Sequence, residues 1–302
     1  MLGLLEVAAP QASGAIAATP SALIPAQATV IGATTGSTIG GNAFDVCSTP
    51  SVADMQAWRA SPYRSVGVYL DSGLLPSGCS SSNLTTSWVH TVTGQGWKIL
   101  PIYDGLQAPC SGSSHVMSSS PTTAATQGSS AATASVTKMA GLGLSAATPV
   151  YLDMEPYNTT NPTCVAAVEA FTEAWTTSLH AKARISGIYG ATGSMIASLV
   201  YWRSVDSGYP QPDEIWFGHT NQPPTTDDNS IPPDAWSGHR VHQFTQNVTE
   251  TYGGVTKTID GDVTSDSLVT AVGPTRLYDS VTAKIGTGNV ALKVAGKAGV
   301  PT

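Results

Sequence analysis

Two carboxylates two residues apart carry the first chemical signal. The stretch Pro149-Val150-Tyr151-Leu152-Asp153-Met154-Glu155-Pro156-Tyr157 is a β-branched and aromatic run that ends in Asp-x-Glu, with Pro156 to stop it. Residues i and i+2 of a strand project from the same face, with Cβ atoms roughly 6–7 Å apart. Carboxylates sharing a face repel, so one of the two keeps its proton near neutral pH. A protonated acid beside an ionised partner is the pair that glycosidic cleavage uses. Taken alone, Asp-x-Glu fits a solvated strand end or a structural ion pair equally well. Further acids recur at comparable places: Asp45 late in Ala43–Cys47, Asp71 after Ser65–Leu70, Asp104 after Lys98–Tyr103, and Asp260 and Asp262 around the end of Val255–Asp260. Any one of them could be a helix N-cap or a turn residue. Charged residues make up only 11% of the chain, against about 25% in a typical domain. Acids gathered at strand ends in so sparsely charged a chain point to an acidic mouth.

Other chemistries lack their residues. There is no G-x-S-x-G nucleophile elbow, no phosphate-binding G-x-x-x-x-G-K-[ST] loop and no G-x-G-x-x-G turn. None of the six histidines forms H-E-x-x-H, so no metal site and no cofactor is expected. A divalent cation held by the acidic cluster is the weaker alternative, and EDTA-insensitive activity would argue against it. The net charge of −7 and the absence of a Lys/Arg cluster exclude a nucleic-acid surface. No run of about 18 apolar residues could span a membrane. The four cysteines form no C-x-x-C pair, so zinc ribbons and thioredoxin-type motifs are out. In a Ser/Thr-rich, exported chain they would make two disulfides, with three pairings open; four buried thiols is the alternative.

The acids need a frame. Strand-like runs occupy Ala43–Cys47, Ser65–Leu70, Lys98–Tyr103, Val150–Glu155, Ile185–Tyr189, Glu214–Phe217, Arg240–Thr245 and Val255–Asp260. Helical spacing fits Ser51–Arg59, Thr122–Gly141, Cys164–His180 and Ser194–Trp202. Eight strands with interposed helices predict an α/β fold, a (β/α)8 TIM-type barrel that becomes irregular in its last units, where a Pro/Asp/Asn-rich loop replaces a helix. An open doubly wound sheet satisfies the same periodicity. Residues 1–42 read as a signal-peptide remnant and flexible leader, 43–267 as the barrel, and 268–302 as a linker and the start of a truncated β-rich second unit.

Phe44-Asp45-Val46-Cys47, Met55-x-x-Trp58, Val66-Gly67-Val68-Tyr69-Leu70, Gly96-Trp97-Lys98-Ile99-Leu100-Pro101-Ile102-Tyr103, Tyr151-Leu152-Asp153-Met154-Glu155, Ser186-Gly187-Ile188-Tyr189 and Ile215-Trp216-Phe217 follow in order. The series closes with His242-Gln243-Phe244 and Tyr252-Gly253-Gly254-Val255 through Ile259-Asp260-Gly261-Asp262. Together these motifs resemble the DUF1906 family of secreted, actinobacterial, glycoside hydrolase-like proteins, over roughly residues 42–266. That family is in turn similar to the family 25 glycoside hydrolases, lysozyme-type muramidases on a (β/α) barrel. The resemblance implies that Glu155 is the acid and that Asp153 stabilises an oxocarbenium-like state. Asp45 and Asp260 would set the field and orient the substrate. Tyr103, Tyr151, Tyr189 and Trp216 would supply sugar contacts, and Asp104, Asp262 and Gln243 complete the expected substrate-binding set. On such a barrel the loops after neighbouring strands share one rim, and this predicts the pairs Cys79–Cys110 and Cys47–Cys164. The expected protein is thus a secreted monomer that hydrolyses a bacterial cell-wall or related polysaccharide. A catalytically silent glycan-binding barrel at the cell envelope is the alternative.

Overall fold

Each parallel strand from β1 to β6 hands the chain outward, and it returns to pair beside the strand it left. The protein, a computed structural model, is described for residues 37–270, with only the backbone at 37–40 and 266–270. The strands are β1 (Ser37–Val46), β2 (Ser65–Leu70), β3 (Lys98–Asp104), β4 (Val150–Met154), β5 (Ser186–Ala191), β6 (Glu214–Gly218), β7 (Arg240–Tyr252) and β8 (Val255–Thr270). They close into a barrel in sequence order, which excludes the open sheet. The helices are α1 (Val52–Ala57), α2 (Thr86–Gly94), α3 (Pro121–Gly141), α4 (Pro162–His180) and α5 (Met195–Val205). One follows each of the first five strands. The segment after β6 carries no helix, and β7 and β8 form a hairpin. β1 starts at Ser37, within the expected leader. The rest of that leader, and the expected β-rich unit beyond Thr270, lie outside the described residues.

The irregularity of the last units has a specific form. β8 runs antiparallel to both β7 and β1. Gly253 and Gly254 turn the hairpin at φ +56° and +79°, the left-handed pair a tight two-residue hairpin requires. Asp260 and Asp262 therefore do not end a strand, as expected from the sequence, but sit inside β8. The register still pairs Asp260 with Asp45, so β8 brings its acids to the rim from the opposite direction. Past the rim, bulges at Gln243/Thr245 and Thr245/Val248 let the hairpin leave the barrel. Its turn packs on α1, where Trp58 Nε1 donates to Val255 O at 3.0 Å and Lys257 Nζ meets Asp54 Oδ2 at 2.7 Å.

Strand alternation sorts the side chains into two cores. Phe44, Val66, Val68, Leu152, Ile188 and Phe217 face outward against the helices, with Trp58, Phe171 and Trp175. Ala43, Leu100, Ile102, Tyr151, Trp216 and Val241 fill the barrel. Gly67 makes room among them: a Cβ there would lie 2.5 Å from Asp45 Cβ and 2.7 Å from Trp216 Cη2. The Ala-rich α3 buries a stripe of Ala124, Gly128, Ala132, Ser135 and Met139. Only glycine fits at 128, because a Cβ would fall 2.2 Å from Phe171 O of α4. α2 was not evident in the Thr-rich sequence. It buries Trp88, Val89 and Val92, and Thr85 caps it by accepting from Trp88 N.

The disulfides are Cys47–Cys79 and Cys110–Cys164, which corrects the expected Cys79–Cys110 and Cys47–Cys164. Cys47 leaves β1 beside the β2–α2 loop, and a parallel bridge between Ser48 and Ser80 brings Cys79 to it. Cys110 lies in the β3–α3 loop and Cys164 in the first turn of α4, after the neighbouring strand. Each bond ties the segments that follow two adjacent strands, β1 to β2 and β3 to β4.

Candidate active site

The ends of the parallel strands open on one mouth, and their inward positions hold the acids. β1 contributes Asp45, β3 Asp104, β4 Asp153 with Glu155 just beyond it, and β8 Asp260 and Asp262. A small depression at the base is lined by Asp45, Tyr69, Ile102, Asp153, Tyr189, Trp216 and Gln243. None of the ion pairs among the described residues includes these acids. Hydrogen bonds and protons must therefore manage their repulsion.

Gln243 is the hub. Its Nε2 donates to Asp45 Oδ2 at 2.9 Å and to Asp260 Oδ2 at 3.3 Å. Its Oε1 accepts from the Tyr189 hydroxyl at 2.8 Å and from Gln246 Nε2 at 3.0 Å. Asp260 Oδ1 also accepts from Asn247 N at 2.6 Å. Below them, Asp262 Oδ1 accepts from Trp216 Nε1 at 2.9 Å, which fixes the indole. Asp262 Oδ2 is buried without a hydrogen-bond partner among the described residues, and the nearby Asp45 carboxyl raises the proton affinity of Asp262.

Burial grades the proton affinities. Asp45, almost fully buried, is pushed up to about 7 by loss of water and then by Asp260, against the hydrogen bond from Gln243. Asp153 is raised well above the carboxylate range by burial, with Glu155, Asp104 and Asp45 adding to it. Its Oδ1 has no hydrogen-bond partner among the described residues. Asp262 is likewise raised by burial and then by Asp45. Asp104 is raised to about 6 by burial. Glu155 is the exposed member. Partial loss of water and the charge of Asp260 raise it too. The mouth thus combines an accessible acid with buried Asp153 and Asp262, whose proton affinities are raised furthest, and with Asp45, which releases its proton at about 7.

The structure brings together Asp45, Asp153, Glu155 and Asp260, with Asp104, Tyr189 and Gln243 beside them. Trp216 is 1% exposed and forms the floor. Three expected contact residues do not reach the mouth surface. Tyr103 alternates outward and packs on Trp175 with ring centroids 5.7 Å apart. Tyr151 is fully buried, and its hydroxyl donates to Glu214 deep in the barrel. Asp262 is fully buried, so it supports Trp216 rather than a ligand. Asp71 ends β2 as expected but is exposed beside Lys138 Nζ at 3.8 Å.

Two residues at the mouth were missed. Tyr69 faces inward two positions after Gly67 and lines the depression beside Asp153. Strand alternation from Gly67 was the signal that could have found it. Gln107 lies in a loop and gave no signal.

The model of the Rv2525c-like, glycoside hydrolase-like domain matches residues 56–264. The chain belongs to this family. Among solved structures, an uncharacterized protein of B. stearothermophilus shares the fold with a TM-score of 0.52 and 16% identity, over 76% of this chain and 98% of that one. The spore cortex lytic enzyme SleM of Clostridium perfringens aligns with a TM-score of 0.46 and 16% identity, over 76% and 68% of the two chains. A comparison with curated protein sequences found no match. In this glycoside hydrolase-like domain, the matched span includes Asp104, Asp153, Glu155, Gln243, Asp260 and Asp262. Asp45 precedes it.

Proposed function

We propose that the protein is an extracellular glycoside hydrolase that cleaves a bacterial cell-wall or related polysaccharide, with Glu155 as general acid. The observation that carries this reading is the graded set of acids at one barrel mouth, with exposed Glu155 above buried Asp153. Glu155 protonates the glycosidic oxygen as the C–O bond breaks and positive charge grows on the anomeric carbon; water supplies the OH that ends on this carbon, and its remaining proton goes back to the site carboxylates. Asp45 and Asp260, held apart by the Gln243 amide, supply the negative charge that faces this carbon. Burial and the neighbouring carboxylates raise the proton affinity of Asp153, which suits it to donate a hydrogen bond as well as to the charge-stabilising part that its position in the motif implies. Two disulfides fit an oxidising compartment. Among the described residues no helix is long and apolar enough to cross a membrane.

The test is product release, read by mass spectrometry, from peptidoglycan, arabinogalactan and simple α- and β-glucans, with wild type and Glu155→Gln side by side. The expected outcome is release by the wild type and a loss of at least about 10²-fold in the variant. Binding without release would make the barrel a glycan-binding module. Equal release by both proteins would place the chemistry on another residue.

A further inference from the structure

The β3–β4 ladder ends at the pair Asp104–Asp153. One step further along, Gly105 would pair with Met154. In a parallel ladder, a residue paired with Met154 would donate its N–H to the carbonyl of residue 153 and accept from the N–H of residue 155. The Asp104–Asp153 pair already engages Asp153 O from the β3 side, and the second bond, from Glu155 N to the Gly105 carbonyl, is not made: Glu155 N turns to Gln107 instead. The side chain of Gln107 meets both groups: Nε2 donates to Asp153 O at 2.9 Å, and Oε1 accepts from Glu155 N at 2.8 Å. The carboxamide stands in for the missing carbonyl that Glu155 N would meet and adds a donor to Asp153 O. Its Nε2 also lies 3.3 Å from Gly105 O and from Asp104 Oδ1.

This side chain is itself held. It is 4% exposed. Its backbone N donates to His115 O at 2.9 Å, and its carbonyl accepts from Met117 N at 2.8 Å, so the loop closes on itself. Three residues on, the Cys110–Cys164 disulfide ties the loop to the first turn of α4. Pro156 follows Glu155 and offers no N–H to continue a ladder. Gln107 is thus the bond partner on the β3 side that holds the backbone of Glu155 where the strand has ended.

We infer that Gln107 is a positioning residue for Glu155, extending the β3–β4 ladder by one side-chain amide so that the Glu155 carboxylate emerges over the mouth. The inference rests on the proposed role of Glu155, but the clamp itself can be read without activity. The first measurement is hydrogen exchange of the Glu155 amide in the full chain, expressed as a protection factor. Gln107→Ala removes both bonds, and the expected fall is about 10-fold or more. Gln107→Glu separates positioning from general disruption. A protonated carboxyl has one O–H to give Asp153 O and one oxygen to accept from Glu155 N, so it restores both bonds. Once ionised it can only accept, and it adds charge beside Asp104 and Glu155. The expected result is near-wild-type protection at pH 4.5 and loss at pH 7.5. On whichever glycan the wild type cleaves, Gln107→Ala should lower kcat by about 10–100-fold with KM little changed. Gln107→Glu should lose activity selectively on the alkaline side.

Unchanged protection in Gln107→Ala, or equal protection of Gln107→Glu at both pH values, would overturn the inference. Should Gln107→Ala fail to fold, the two-pH comparison in Gln107→Glu decides alone. Lost protection together with no release by the wild type from any glycan would sink the hydrolase reading and leave the clamp standing.

Discussion

Asp45 holds its proton up to about 7 in the folded chain, against 3.8 for a solvated aspartate. Between those two values the native state binds this proton and the unfolded chain does not. Stability from this group is therefore greatest below about pH 4, falls as pH rises to about 7, and is level above that. Asp104, raised to about 6, acts with the same sign over a narrower window. Asp45→Asn keeps the acceptor for Gln243 and supplies an N–H for Asp262, while it removes the charge. The variant should be more stable than wild type at pH 8, on the order of 1–3 kcal/mol, with no difference near pH 4. Urea unfolding at the two pH values checks this, and no gain at pH 8 would mean that Asp45 is not held under charge strain. The gain should come with loss of glycan hydrolysis, since the strained charge is the one assigned to the reaction.

At the scale of elements, the mouth depends on how little space β2 occupies inside the barrel. Gly67 lies between Asp45 and Trp216, and Trp216 is tied to Asp262. Gly67→Ala forces a methyl group into that layer, where the nearest atoms are a strand's Cβ and a buried indole. The expected cost is about 1–3 kcal/mol, read as a lower urea midpoint with an unchanged slope. A midpoint equal to wild type would show that the indole moves freely, contrary to its bond with Asp262. Alternation along β2 and β4 was legible in the sequence because period two is a local property. It correctly aimed Asp153 and Glu155 at one face. The family resemblance, not alternation, assigned Tyr103 and Tyr151 to the mouth, although Tyr103 sits at an outward position beside Asp104 and Tyr151 sits two residues too deep.

For the whole molecule, the two disulfides close sequence separations of 32 and 54 residues. In the chain-entropy account each restricts the unfolded state by roughly 4 kcal/mol. A domain of ordinary stability has about 5–15 kcal/mol in all. Reduction should therefore lower the thermal midpoint sharply, and removing both bonds should leave the barrel marginal or unfolded at 37 °C. Scanning calorimetry with and without reductant measures this. Non-reducing peptide mapping checks the pairing, and any peptide joining Cys79 to Cys110 would contradict the structure.

Residue order by itself determined the strands, most of the helices, and the identity of the acids that meet at the mouth. These follow from period-two and helical spacing, set within a few residues of each position. The Gly253-Gly254 turn was also written there, as a glycine pair between two strand-like runs. A reading tuned to repeating strand–helix units passed over it and so missed the reversed direction of β8. Only the tertiary structure decided which cysteines pair and which aromatics reach the mouth. It alone showed that Asp262 is a buried support and that a loop glutamine completes the ladder behind Glu155. Those outcomes depend on where distant segments come to rest when the barrel closes, and no local pattern of side chains encodes that distance.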